Sequence, residues 1–306
     1  MGDLFRCSSL EEGIRQVFGE GVSITGNRAV TGGDINEAMC LTLSNGERVF
    51  VKCNRLKGED FFRAEAIGLG AIRATNTIKT PLVYCYGFDE NRNYSFLMMD
   101  MVIASTKIKD YYIQLGVELA ALHKAKTEEF VTDGIYGFVE DNFIGSTRQI
   151  NAGCDSWIDF FRSFRLEPQL RMATRHYAKE FDKRLMRKVN SLLDRLPDIL
   201  IEPEFPSLVH GDLWAGNHIV GSNGKAWLID PAAYVGHSEV DIAMTELFGR
   251  FPEEFYRAYN SMNHLESGYS DRRNIYNLYQ ILNHVNLFGT SYIPSAVDII
   301  EHYGRD

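Results

Sequence analysis

The most informative segment of the chain reads His210-Gly211-Asp212-Leu213-Trp214-Ala215-Gly216-Asn217. It places a carboxylate and an amide, Asp212 and Asn217, on one short loop after an apolar stretch. A second apolar stretch, a turn at residues 222–224 and a third apolar stretch follow, and this pattern predicts a hairpin. The hairpin would return a second carboxylate, Asp230, toward Asn217. The segment therefore predicts a site with two carboxylates and one amide.

These three side chains meet the chemical needs of phosphoryl transfer from ATP. The reaction needs a base near the attacking hydroxyl group and hard oxygen ligands for a Mg²⁺ ion on the phosphates. The D-x-x-x-x-N spacing is that of the kinase catalytic loop. Asp212 is therefore the predicted catalytic base, and Asn217 and Asp230 are the predicted Mg²⁺ ligands. A lone H-G-D would more simply be a turn capped by its Asp, but the joint pattern with the hairpin argues against this.

The N-terminal part of the chain carries candidate nucleotide-binding residues. Gly32 and Gly33 form a glycine pair that would let backbone N–H groups approach phosphates, although such a pair more often marks a plain hairpin turn. Lys52 ends the strand at residues 49–52, a V-x-V-K version of the V-A-I-K strand whose lysine holds the α- and β-phosphates. The alternative is a solvated lysine at the end of a strand.

Glu65 makes the phosphate-binding interpretation of Lys52 stronger. Residues 59–74 have helical periodicity, and Glu65 lies in the middle of an apolar stripe that includes Phe61 and Leu69. A carboxylate that faces inward is costly unless it is paired. We therefore predict an ion pair between Lys52 and Glu65, with an unpaired Glu65 that reaches the protein edge as the alternative.

The order of elements predicts an α+β, bilobal protein-kinase-like fold. The first hundred residues indicate strands around one helix, and helices are predicted at 111–124, 157–196 and from 240 onward. Residues 1–101 would form a small β-rich ATP-binding lobe, and residues 102–306 a larger helical lobe for catalysis and acceptor binding. The strand at residues 96–101 would run into the hinge between the two lobes. The hinge backbone at Met99 and Met101 would hydrogen-bond adenine.

The composition excludes some classes of partner. The net charge of -9 disfavours a nucleic-acid partner, because such binding needs a surplus of Lys and Arg.

The five scattered cysteines contain no C-x-x-C pair, which indicates reduced thiols. Neither a signal peptide nor an apolar run long enough for a membrane is indicated. We therefore expect a cytoplasmic protein without a membrane partner.

At residues 210–217 the sequence resembles the fructosamine kinase family, whose H-G-D-L-W-[SA]-G-N motif is matched at every position. The resemblance covers essentially the full length. It continues at residues 141–147, 157–166, 230–232, 234–243, 247–252 and 282–289.

The resemblance implies an activity. Members of the family phosphorylate the sugar part of ketosamines with MgATP, so the expected cofactors are ATP and Mg²⁺. The expected partner is a small-molecule ketosamine or glycated amine. Asp212 would be the base, Asn217 and Asp230 the Mg²⁺ ligands, and Lys52 with Glu65 the pair on the ATP phosphates.

Two residues are candidates for contact with the acceptor substrate. Trp214 would offer a flat ring face to the sugar adduct, although a core tryptophan under the loop explains it equally well. His284 lies on an apolar helix and by itself indicates a hydrogen-bonded core histidine. The resemblance makes His284 a substrate-contact candidate.

Two other functions remain open at the level of sequence. A kinase of the same fold that acts on an aminoglycoside, choline or a related amino-alcohol would share the catalytic residues. A pseudokinase would bind nucleotide without catalysis, although every expected catalytic position is filled.

Overall fold

The structure is a computed structural model that describes residues 5–30 and 36–304. Gly32 and Gly33, the predicted phosphate-approach residues, lie outside the described residues. The division of the chain into lobes at residues 101 and 102 stays a prediction.

The N-terminal part is a six-stranded sheet with a helix on each face. The elements are β1 (Phe5–Cys7), α1 (Leu10–Phe18), β2 (Ile24–Val30), β3 (Glu37–Leu43), β4 (Arg48–Asn54), α2 (Glu59–Ala74), β5 (Val83–Asp89) and β6 (Tyr94–Asp100). The strand order in the sheet is β1-β5-β6-β4-β3-β2; β1 is parallel to β5 and the other pairs are antiparallel.

The middle of strand β6, residues 96–99, is apolar because both faces of the sheet are covered there. Phe96 and Met98 pack on the side of α1, and Leu97 and Met99 pack on the side of α2. Side chains alternate between the two faces of a strand, so a strand that is buried on both sides needs a continuous apolar run. Helix α2 has the bounds that the apolar stripe predicts.

Helix α1 was not predicted, since the sequence indicated only one helix in this region. The helix is short, and Ser9 begins it by accepting a hydrogen bond from the N–H of Glu12 at 3.2 Å. Leu10 and Ile14 are buried one turn apart against the sheet. The first hundred residues therefore hold strands around two helices.

The C-terminal part is mostly helical with three small two-stranded sheets. Its first elements are α3 (Tyr111–His123), β7 (Asn142–Ile144), β8 (Thr147–Gln149), α4 (Trp157–Phe161), a π-helical turn (Arg162–Leu166), α5 (Glu167–His176), α6 (Lys183–Asp194) and α7 (Leu196–Ile199). The remaining elements are β9 (Ser207–Val209), β10 (His218–Val220), β11 (Ala226–Leu228), β12 (Tyr234–Gly236), α8 (Glu239–Leu247), α9 (Glu253–Met262), α10 (Tyr269–Phe288) and α11 (Ile293–Tyr303). The predicted α+β class is confirmed.

The helical regions predicted at 157–196 and after 240 are interrupted. Asp182 begins α6 by accepting a hydrogen bond from the N–H of Leu185 at 2.8 Å, so α5 and α6 are separate helices. After residue 240 the breaks fall near Pro252, Gly268 and Gly289, which precede or end helices. Within the described residues, we find no helix with the length and apolar character needed to cross a membrane.

Candidate active site

Residues 210–217 form the loop between β9 and β10, and a close backbone approach holds its shape. Gly211 has φ 81°, and a Cβ atom there would lie 2.2 Å from the carbonyl oxygen of Ala232. The N–H of Ala232 also donates to the carbonyl of His210 at 2.9 Å. Glycine is therefore required at the second position of the H-G-D motif, for its conformation and for space.

His210 joins this loop to the segment that carries Asp230. Its Nε2–H donates to the carbonyl of Ile229 at 2.9 Å, and its Nδ1 accepts from the N–H of Asp212 at 3.3 Å. Burial lowers the pKa of His210, which keeps the ring neutral and suited to this pair of bonds. The histidine thus positions Asp212 through backbone contacts.

Asp241, at the start of α8, is fully buried beneath the loop. Its two carboxylate oxygens accept from the N–H groups of His210 at 2.7 Å and Gly211 at 2.9 Å. His123 on α3 donates to it at 3.1 Å. Burial favours the neutral acid, but the hydrogen bonds from the two histidine residues outweigh it, so the pKa of Asp241 is lowered. The carboxylate braces the loop.

Gln280 was not predicted from the sequence, yet it contacts the loop directly. Its Nε2 donates to the carbonyl of Gly211 at 2.8 Å from α10. His123 was also missed, and it reaches Asp241 from α3. Both side chains are buried polar groups, and a polar side chain at a buried position is the kind of signal that marked Glu65.

Asp212 and Asn217 lie in direct contact. Nδ2 of Asn217 donates to the backbone carbonyl of Asp212 at 2.8 Å and to its Oδ2 at 3.0 Å. The pKa of Asp212 is raised to about 7, chiefly by burial. The hydrogen bond from Asn217 lowers this pKa, and the charges of Asp230 and Asp241 raise it. A carboxylate with a pKa near neutrality is well matched to general-base catalysis at physiological pH.

The predicted hairpin is present and delivers Asp230 to the same place. Strands β10 and β11 pair antiparallel, and the N–H of Ile229 donates to the carbonyl of Asn217 at 3.0 Å. Asp230 itself has φ 56°, a left-handed conformation that is uncommon for a residue other than glycine. In this conformation the carboxylate of Asp230 contacts Nζ of Lys52.

Lys52 connects the N-terminal sheet to the hairpin. Its Nζ lies 2.6 Å from Oε1 of Glu65 and also donates to Oδ1 of Asp230. Burial alone would lower the pKa of Lys52, but the two carboxylates outweigh burial and raise it. The predicted geometry of the Lys52–Glu65 pair is therefore present, and the lysine is a fixed cation between the two halves of the chain.

We expect the Lys52–Glu65 pair to be energetically coupled. Both side chains are largely buried, so the loss of either partner leaves a lone charge that lowers stability and raises KM for ATP. Lys52→Met, Glu65→Gln and the double variant should show a coupling of about 1 kcal/mol or more in urea unfolding. The pair Arg6–Glu59, with a solvent-exposed arginine, is the matched control and should couple more weakly than Lys52–Glu65. Additive effects at Lys52 and Glu65 would contradict the assignment.

The oxygen atoms at this site fit Mg²⁺ that arrives with a nucleotide. In the part of the chain that the structure describes, no cluster of three or more His, Cys, Asp or Glu side chains could hold a metal alone. Mg²⁺ needs only one or two carboxylates when phosphates complete its coordination. Asn217 bonds to Asp212 through Nδ2, so its Oδ1 is the atom that could hold such an ion.

The other predicted site residues occupy distinct positions. Met99 is buried near the end of β6, and Met101 directly follows that strand. Trp214 is 38% exposed on the loop at residues 210–217, so it is not a core residue. His284 lies on α10, one turn after Gln280, and is partly buried.

The comparisons with known proteins agree with this geometry. The chain matches the fructosamine kinase family over residues 7–305. It is 40% identical over 295 residues to a probable ketoamine kinase of Synechocystis sp., covering 96% of this chain and 95% of the relative. It is 38% identical over 302 residues to a protein-ribulosamine 3-kinase of Oryza sativa that is designated chloroplastic, covering 96% of this chain and 84% of the relative.

Solved structures show the same likeness. A crystal structure of a candidate fructosamine-3-kinase from Haemophilus somnus 129PT has a TM-score of 0.85 and 29% identity, covering 97% of each chain. The predicted bilobal kinase-like fold is thereby confirmed. By its sequence match over nearly its whole length, the chain belongs to the fructosamine kinase family.

Proposed function

We propose that this protein transfers the γ-phosphoryl group of ATP to a sugar hydroxyl group of ketosamines. The observation that carries the proposal is the continuous contact from Glu65 through Lys52 to Asp230, and along the hairpin to Asn217 and Asp212. ATP is the phosphate donor of this kinase family. The family relationship favours ketosamines over aminoglycosides or choline as acceptors.

Each residue has a distinct role in the proposed reaction. Asp212 accepts the proton of the acceptor hydroxyl group. The hydroxyl oxygen forms a bond to the γ-phosphorus, the bond between the γ-phosphorus and the β–γ bridging oxygen breaks, and ADP leaves. Lys52, fixed by Glu65, neutralises charge on the α- and β-phosphates. Asp230 and Asn217 would hold Mg²⁺, which when bound supplies positive charge to the phosphate oxygens.

The remaining assignments also form part of the proposal. Gly32 and Gly33 would approach the phosphates through backbone N–H groups, and Met99 and Met101 would bind adenine through theirs. Residues 1–101 would bind ATP and residues 102–306 would bind the acceptor and carry the catalytic base. We propose a cytoplasmic location, in keeping with the five free cysteines.

Trp214 and His284 are proposed to contact the ketosamine. We expect Trp214→Ala and His284→Ala to raise KM for the ketosamine by at least about fivefold, and to leave KM for ATP within about twofold. Steady-state kinetics with each substrate varied in turn measures both constants. His302→Ala, an exposed histidine on α11, is the control. A larger effect on ATP than on the ketosamine would contradict the assignment.

The acceptor class can be tested with the wild-type protein and four substrates. We expect ADP release and a product of the added phosphate mass with a ribulosamine and a fructosamine, with the ribulosamine at least as good. Kanamycin and choline should give neither. Phosphorylation of kanamycin or choline without either ketosamine would support the rival kinases, and ATP binding without turnover on any acceptor would support a pseudokinase.

A further inference from the structure

One segment of this acidic chain is strongly basic. Residues 171–188 hold seven of the 32 Lys and Arg residues but only two of the 41 Asp and Glu residues. These residues give the segment a net charge of +5, whereas the whole chain has a net charge of -9. The segment covers the second half of α5, the connection at 177–182 and the first half of α6. Positive charge is therefore concentrated on one part of the protein.

Five exposed cations of this segment form what we call the basic surface: Arg171, Arg175, Lys179, Lys183 and Arg187. The other two cations of the segment face the end of α11. Arg184 lies 3.7 Å from Glu301, and Nζ of Lys188 donates to the carbonyl of Gly304 at 3.4 Å.

The basic surface is not neutralised within the chain. Arg171 lies 3.5 Å from Glu167, on the preceding turn of α5. In the part of the chain that the structure describes, no ion pair reaches the other four cations of the surface. Of the two carboxylates in the segment, Glu180 is exposed, and Asp182 begins α6 by accepting from the N–H of Leu185. A surplus of positive charge thus faces the solvent.

The two helices place the cations side by side. The hydroxyl group of Thr174 on α5 donates to Sδ of Met186 on α6 at 3.5 Å, so the helices meet at these two residues. Residues three apart are neighbours on the surface of a helix. Arg171 therefore lies beside Thr174, and Lys183 lies beside Met186. Each of these cations has another cation of the basic surface four residues later, so each helix carries a row of positive charge next to the contact.

The chain keeps these charges at a cost to its own stability. Like charges four residues apart on a helix repel each other, and this happens between Arg171 and Arg175 and between Lys183 and Arg187. Lys183 is also the first residue of α6, where the positive end of the helix dipole disfavours a cation. Carboxylates placed along the two rows would relieve both kinds of repulsion.

A lipid surface does not suit this part of the protein. Helix α6 is amphipathic, but its apolar residues Leu185, Val189, Leu192 and Leu193 are buried in the core. A helix that binds in a lipid interface needs an apolar face that is free to insert. The basic surface offers charge without such a face.

Nucleic acid is also disfavoured. The residues outside the segment have a net charge of -14, which repels a densely charged polymer. Within the segment, the rings of Tyr177 and Phe181 are partly and fully buried, so a single strand finds no exposed phenyl ring on which to stack its bases.

The spacing of the cations fits a repeat of carboxylates. Within each row, four residues separate the cations, which is about 6 Å along a helix. Glu at every fourth residue of a helix repeats at the same interval, and Glu at every second residue of an extended chain repeats at about 6.6 Å. Three of the five cations are arginines, whose guanidinium groups bind carboxylates through two parallel hydrogen bonds.

We infer that the basic surface is a docking site for a partner polypeptide that carries a run of Asp and Glu residues. The partner's carboxylates lie along the two rows and neutralise charges that the chain leaves unpaired. The inference goes beyond the proposed function and does not depend on it.

The test measures fluorescence anisotropy as the full-length protein is added to labelled poly-L-glutamate. We expect binding at low salt that weakens at least about tenfold at high salt. Arg175→Glu combined with Arg187→Glu should weaken binding at low salt at least about tenfold. Arg175→Gln combined with Arg187→Gln, which removes the charges without reversing them, should weaken it at least about threefold.

The matched control is Lys126→Glu combined with Arg257→Glu. Both residues are exposed, lie outside the basic surface and give the same change of net charge. This control should weaken binding less than about twofold. We expect kcat and KM for a small ribulosamine to stay within about twofold of wild type in all three double variants, because none changes a residue of the candidate active site.

Four results would overturn the inference. They are no binding of poly-L-glutamate at low salt, equal losses in the surface and control variants, tighter binding of an oligothymidylate or of phosphatidylserine vesicles than of poly-L-glutamate, and loss of ribulosamine turnover in the surface variants alone. The last result would assign these residues to the acceptor site. Failure of the wild-type protein to phosphorylate any ketosamine would overturn the proposed function and leave the docking site standing.

Discussion

Asp212→Asn is expected to lower kcat by about two to four orders of magnitude, with affinity for MgATP retained. The substitution removes the proton acceptor for the substrate hydroxyl but keeps the size of the side chain. The new amide can still accept the hydrogen bond from Nδ2 of Asn217 through its oxygen, so the loop should keep its conformation. Single-turnover kinetics with a ribulosamine and calorimetric titration with MgATP measure the two quantities.

The control for this variant is Asp298→Asn, at an exposed position on α11. It changes the net charge by the same amount and should leave kcat unchanged. Near-native turnover by Asp212→Asn would remove Asp212 from the role of base. A parallel loss of MgATP affinity would show that the residue acts on the nucleotide instead.

The pH dependence of the wild-type enzyme should follow the same carboxylate. Burial raises the pKa of Asp212 to about 7, and a base works only in its deprotonated form. We therefore expect log kcat/KM to fall with unit slope as pH decreases below the pKa, and to level off above it. Bound Mg²⁺ favours the charged form of the carboxylate. With MgATP saturating, the midpoint of the pH profile should therefore lie at or below about pH 7. A rate that rises on acidification would contradict a carboxylate base.

Asp230→Asn has the second large expected effect. The substitution removes the negative charge that faces Lys52 and the proposed Mg²⁺ ion, and Asn tolerates the left-handed backbone at φ 56°. We expect affinity for ATP in the presence of Mg²⁺ to fall at least about tenfold. In EDTA the variant and the wild-type protein should bind ATP almost equally, since no metal bridge is then possible.

Asp212→Asn is the matched control for this measurement, because it changes the other carboxylate of the site and should retain affinity for MgATP. Turnover by Asp230→Asn should be reduced together with binding. If its affinity for ATP were equally lowered with and without Mg²⁺, Asp230 would act through Lys52 and not through a metal.

Parts of this structure could be predicted because local patterns carry strong physical requirements. An apolar stripe of helical period fixed the bounds of α2, and an inward-facing carboxylate on that stripe required a cation, which Lys52 provides at 2.6 Å. The hairpin before Asp230 followed from alternating apolar strands and a glycine turn. In each case the partners lie close in sequence or are forced together by burial of charge.

Other parts depend on contacts between distant elements. Gln280 reaches the catalytic loop from α10, and His123 reaches Asp241 from α3, so neither contact leaves a local pattern around the loop. The ring of Phe248, the residue after α8, likewise contacts Trp214 on the loop at 210–217 and His284 on α10. The break between α5 and α6 is marked locally by Asp182, whose side chain accepts a hydrogen bond from the N–H of Leu185.

We propose that this protein phosphorylates the sugar of a ketosamine. The most direct measurement is phosphorus-correlated NMR of the product formed from MgATP and a ribulosamine, because it identifies the oxygen that receives the phosphoryl group. We expect one equivalent of ADP and a phosphorus nucleus coupled to the proton on carbon 3 of the sugar. ADP formation with an unmodified ketosamine, or a phosphoryl group on the amine arm, would contradict it.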